Sequence, residues 1–168
     1  KIGEEAFIDC QNLEKVKFDA LCNLIEIPKF CFAFSGIKSI NLPNSIEIIN
    51  QSSFLYCIDL KNINLIDTNT KYIGYSAFSE TSIEKVIFPS SIKYIEDHAF
   101  EKTKSLKIVD FTNITNIEIW NKEIPKKYIK RMTKMNKKSI ISQNNEQNKV
   151  IKKVSNSNPV IIKPNETN

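Results

Sequence analysis

Along residues 1–111 an isoleucine recurs with a small residue four positions later and a phenylalanine directly after it: Ile2/Ala6/Phe7, Ile27/Cys31/Phe32, Ile49/Ser53/Phe54, Ile73/Ala77/Phe78 and Ile95/Ala99/Phe100. The isoleucines are 25, 22, 24 and 22 residues apart. Five or six residues after each Phe follows the pattern apolar-x-x-apolar-x-apolar: Leu13/Val16/Phe18, Ile37/Ile40/Leu42, Leu60/Ile63/Leu65, Ile83/Val86/Phe88 and Leu106/Val109/Phe111. The last two members of each triplet alternate with their neighbours as a half-buried strand does, which predicts a strand of roughly three to five residues per repeat. A period in the low twenties belongs to a solenoid, whose units cannot bury their own apolar face and must stack on one another.

Stacked in register, the five strands are expected to form one parallel sheet, at about 4.8 Å per step and roughly 20 Å from first to last. Parallel strands need a crossover. Here it starts at a turn, with Pro43 or Pro89, and passes through Ile46 or Ile92 into the next repeat. The Ile-to-Phe segment, such as Ile73–Phe78, is too short for a long helix and predicts a 3₁₀ turn or irregular coil. A β-sandwich of short strands is the alternative, and the matched columns argue against it. Past Phe111 the pattern decays; Ile114, Ile117, Ile119 and Trp120 read as a degenerate unit capping the core.

Composition changes this picture in two ways. The chain has three glycines and many asparagines, so Asn is expected at turn positions needing a left-handed backbone. Charge is divided: residues 1–121 hold 12 basic and 16 acidic residues (net −4), whereas residues 122–168 hold 12 basic and 3 acidic (net +9). The chain therefore reads as a repeat body over 1–121, a basic segment over 122–138 and a disordered Asn/Lys/Ser-rich tail over 139–168. Ile124, Tyr128, Met132 and Met135 follow helical spacing, so the basic segment is expected to hold a short amphipathic helix. No apolar run approaches the about 18 residues that span a bilayer, and the chain is read as soluble. It opens on Lys1 directly into the repeat, which reads as a fragment or processed form and leaves the compartment open.

The run Ile2-Gly3-Glu4-Glu5-Ala6-Phe7 through Cys10, followed by L-x-x-V-x-F and the Pro-Ser-Ser-Ile turn at Pro89–Ile92, resembles the BspA-like leucine-rich repeat family over about residues 1–111. The resemblance implies a leucine-rich repeat solenoid: α/β and horseshoe-like, with short parallel strands and coil or 3₁₀ crossovers. It also implies protein binding or adhesion at a cell surface, as in bacterial surface proteins and proteins of protozoan parasites, with a secreted or surface location; a cytoplasmic one stays open. Pro28 and Asn50 stand where the motif has Gly, so the second and third repeats are expected to use a different local turn. The resemblance transfers no functional residue.

No catalytic set emerges. His98 is the sole histidine, in the column of Glu5, Phe30, Ser52 and Ser76, and reads as a solvent-facing repeat position; no nucleophile elbow or phosphate-binding glycine loop is present. Cys10, Cys31 and Cys57 occupy small-residue columns and read as reduced core residues; no C-x-x-C pair suggests zinc, and a disulfide through Cys22 is left open for a secreted protein. No cofactor is expected. Sequons at Asn50, Asn113 and Asn165 would matter only in a secretory protein.

The surface most suited to a partner is the strand face. Its columns are Glu14, Lys38, Lys61, Glu84 and Lys107; Lys15, Ser39, Asn62, Lys85 and Ile108; and Lys17, Asn41, Asn64, Ile87 and Asp110. Mixed charge without aromatic rings favours a polar protein or surface glycan over a nucleic-acid groove. The chain is expected to be a monomeric, non-enzymatic binding scaffold. The alternative is a peripheral membrane or nucleic-acid protein, binding anionic lipid or nucleic acid through Lys126, Lys127, Lys130, Arg131, Lys134, Lys137 and Lys138.

Overall fold

The computed structural model describes residues 1–111, residue 114 and residues 129–130. Trp120, most of the basic segment and the tail from 139 lie outside the described residues.

Each turn of the chain has three sides. The first carries the five predicted strands and one more: β1 (Lys15–Val16), β3 (Ser39–Ile40) and β5 (Asn62–Ile63) pair in parallel, and so do the predicted β7 (Lys85–Ile87) and β9 (Ile108–Asp110) with the unpredicted β10 (Ile129–Lys130). Val16, Ile40 and Ile63 are register partners, as are Val86 and Val109, which confirms the apolar columns. The expected single sheet is divided between β5 and β7. One stretched bond, Glu84 N–H to the Lys61 carbonyl at 3.5 Å, continues the ladder across the gap.

A second parallel sheet was not expected from the sequence. It consists of β2 (Glu26–Ile27), β4 (Ile48–Ile49), β6 (Tyr72–Ile73) and β8 (Tyr94–Ile95), in that order. Ile27, Ile49, Ile73 and Ile95 align in it and are wholly buried. Two-residue strands carry too little alternation to be seen in one repeat, so the strand shows only when neighbouring turns align. The crossover from β5 to β6 contains the only 3₁₀ turn among the described residues, Leu65–Asp67.

The third side is the Ile-to-Phe segment, built as overlapping turns with two left-handed residues four apart in every repeat. These are Glu5/Asp9, Phe30/Phe34, Ser52/Tyr56, Ser76/Glu80 and His98/Lys102, with φ between 52° and 60°. None is asparagine or glycine, contrary to the expectation from composition. Hydrogen bonds to the next repeat hold the backbone here in place of residue preference: Glu5, Phe7 and Asp9 N–H donate to the carbonyls of Lys29, Cys31 and Ala33, and the same triple recurs three more times. The second and third repeats use this same turn, so Pro28 and Asn50 do not alter it.

Glycine serves close approach. A Cβ on Gly36 would fall 1.9 Å from the Gln11 carbonyl oxygen, and one on Gly74 would fall 2.7 Å from the Gln51 nitrogen. The core between the three sides is organised on a spine of phenylalanines, Phe7, Phe32, Phe54, Phe78 and Phe100. Their rings stack at 5.2–5.3 Å with interplanar angles of 5–19°. In the first turn Phe7, Leu13, Val16 and Phe18 are only partly buried, because no earlier turn covers them among the described residues.

Candidate functional site

All fifteen residues of the predicted strand face lie at the surface, and none is buried. The ladder beneath the first column is continuous: Lys38 N–H donates to the Glu14 carbonyl, Lys61 to Lys38, Glu84 to Lys61 and Lys107 to Glu84. Repeat spacing then brings side chains of one column within reach of each other. Lys38 Nζ lies 2.5 Å from Glu14 Oε1, and Lys107 Nζ lies 2.9 Å from Glu84 Oε2. The hydrogen bond to Glu14 raises the Lys38 pKa, and that to Lys107 lowers the Glu84 pKa. Both pairs are solvent-exposed and contribute little to folding. Their effect is on the face: two lysines and two carboxylates are already paired.

What remains is basic. Lys15, Lys17, Lys61 and Lys85 form no salt bridge among the described residues. Mixed charge in the sequence thus becomes a residual positive surface once internal pairing is known. Asn64 is committed to structure: its amide bridges the Leu42 N–H at 2.7 Å and the Leu42 carbonyl at 3.2 Å, as a further strand residue would.

Of the predicted basic segment only Ile129 and Lys130 are described, and they pair with Val109 and Asp110 as strand β10 where helical spacing predicted a helix. Lys126, Lys127, Arg131, Lys134, Lys137 and Lys138 lie outside the described residues.

The cysteines divide by position in the stack. Cys31 and Cys57 are buried, and burial pushes their thiols up to about 12 and about 11. Cys57 Sγ donates to the Phe32 carbonyl at 2.9 Å. Cys10, in the same column but in the first turn, is exposed rather than a core residue, because the stack covers it on one side only. All four thiols are free. His98 is half-buried, with Nδ1 3.0 Å from Glu101 Oε2 and its ring edge-on to Tyr75. Among the described residues no group of three or more His, Cys, Asp or Glu side chains gathers as a metal site. No helix among them is long and apolar enough to cross a membrane.

The sequence reading passed over two aromatic pairs, one half-buried and one exposed. Tyr72 and Tyr94 stack at 5.5 Å on the outer side of the second sheet, and burial together with the Glu96 carboxylate raises the Tyr72 pKa. On the third side Phe34 and Tyr56 stack at 5.2 Å, each 43% exposed. The signal was available in the column two residues after the spine phenylalanine, which reads Asp9, Phe34, Tyr56, Glu80 and Lys102. Two aromatic residues stand in it among charged ones.

Residues 1–107 match the family model described as BspA type leucine-rich repeat region, in six copies. A leucine-rich repeat protein from Bacteroides ovatus, known by crystal structure, is similar at 31% identity with a TM-score of 0.59. The likeness covers 64% of this chain and 27% of that protein, so this chain spans about a quarter of its length. Among curated proteins no relative matches.

Proposed function

Because the chain belongs to the BspA-type leucine-rich repeat family, we propose that it is a non-enzymatic binding scaffold whose strand face engages an acidic partner, a protein surface or a surface glycan, in an adhesion-type role at the cell surface. The residual charge of that face carries the reading. Glu14 and Glu84 are taken up by Lys38 and Lys107, which leaves Lys15, Lys17, Lys61 and Lys85 to a partner. A rigid array of lysines at repeat spacing suits a partner with carboxylates or sulfates along its length, and such contacts accelerate encounter and weaken with salt. Interaction through an extended repeat face is the usual mode of solenoid scaffolds.

The test is binding of the intact chain to arrays of acidic glycans and acidic peptides at two salt concentrations. Binding should fall with salt and be lost in the Lys61→Glu/Lys85→Glu variant, while Lys71→Glu on the second sheet leaves it unchanged. Equal losses from both variants, or no binding to any acidic probe, would refute the reading.

A further inference from the structure

The second left-handed position of each repeat is filled by Asp9, Glu80 and Lys102 in three repeats but by Phe34 and Tyr56 in the other two. A bulky ring is a costly occupant of φ near 60°, and burial does not offset that cost here, since each residue is 43% exposed. The mutual stack offsets part of it. Beside the rings Ile58 is 63% exposed, and a groove of about 420 Å³ is lined by these three side chains with Asp9, Gln11 and Asp59. Gly36 also lines it, and the missing Cβ lets the Gln11 backbone lie directly against this glycine. Asp9 accepts a hydrogen bond from Gln11 Nε2 at 3.0 Å, and neither Asp9 nor Asp59 forms a salt bridge among the described residues.

Tyr56 covers one face of Phe34. The other face looks toward Asp9, which holds the same column one repeat earlier. We propose that this groove docks an arginine-bearing segment of a partner protein, with an apolar residue beside the arginine. The guanidinium stacks flat on the free face of Phe34 and donates to Asp9, the neighbouring apolar side chain packs on Ile58 and Tyr56, and Asp59 adds negative charge at the rim. Arginine fits better than lysine because a planar fork can stack and bridge a carboxylate at once. The groove's charge is opposite to that of the strand face, so the two surfaces select different partners. This inference does not depend on the strand-face reading.

The experiment is fluorescence anisotropy of the full chain against labelled ten-residue peptides with an Arg-Leu pair at the centre, alongside matched peptides carrying Gln for Arg or Ser for Leu. The Arg-Leu peptides should bind, and either replacement should weaken binding by about tenfold or more. Phe34→Asn/Tyr56→Asn removes the rings with a residue at home in the left-handed backbone, so binding should vanish while the melting temperature is kept. Asp9→Asn should weaken Arg-Leu binding alone, and Lys61→Glu should leave it intact. The proposal is overturned if no Arg-Leu peptide binds, or if the aromatic variant binds as well as the parent. It is also overturned if a peptide of residues 126–138 is the sole binder, for then the groove serves this chain's own basic segment.

Discussion

Phe78 has ring neighbours on both sides, Phe54 at 5.3 Å and Phe100 at 5.2 Å, and no exposed surface. Phe78→Ala should therefore cost about 3–5 kcal/mol in urea unfolding, and Phe7→Ala well below that, because Phe7 is stacked on one side and partly exposed. Lys61→Ala should leave the midpoint unchanged. Gly74→Ala forces a Cβ against the Gln51 backbone and should cost about 1–3 kcal/mol, whereas Gly3→Ala, with nothing within 4 Å, should be tolerated. The thiols give a pH dependence. Burial raises the folded pKa of Cys31 and Cys57 above the ordinary thiol value of 9.0, so their contribution is fully present below pH 9 and is lost as pH rises toward about 11 for Cys57 and about 12 for Cys31. Urea midpoints should fall over that window, and less steeply in Cys31→Ala/Cys57→Ser. An alkylating reagent at neutral pH should label Cys10 in the native protein and reach Cys31 and Cys57 only after unfolding.

Among the elements, Asn64 stands in for a strand residue at the point where the first sheet divides. Asn64→Ala would leave both Leu42 backbone groups without that partner and should cost about 1–3 kcal/mol. The strands of the first sheet were legible in the sequence because their three apolar positions repeat in five turns. The second sheet was not legible, since Glu26–Ile27 and its counterparts give one buried residue each and pair only across turns 22 to 24 residues apart. Turn chemistry misled for a related reason. Propensity assigns left-handed backbone to Asn or Gly, but where each N–H is fixed by the next repeat, as for Phe34 donating to the Leu55 carbonyl at 2.8 Å, the neighbouring turn decides the conformation.

At the scale of the molecule, stability in such a stack is close to a sum of repeat and interface contributions, and it frays from uncovered turns. Hydrogen exchange should show amides of the Phe54 and Phe78 turns protected longest and those of the Phe7 turn earliest to exchange; uniform protection would contradict this. The strand face was legible in outline, all fifteen positions being at the surface. Its charge was not, because the pairing of Lys38 with Glu14 joins residues 24 apart. The third side was read as mere turn until its rings could be placed next to each other.

The ladder on that third side runs against those of the other two. In four successive steps its N–H groups point to the later turn, whereas on the strand face Lys38, Lys61, Glu84 and Lys107, and on the second sheet Asn50, Gly74 and Glu96, point theirs to the earlier one. The axial peptide dipoles of the sides therefore oppose one another, and repeats can be added without building the macrodipole that a lengthening helix builds. Charge selection at either end of the stack then falls to the side chains displayed there.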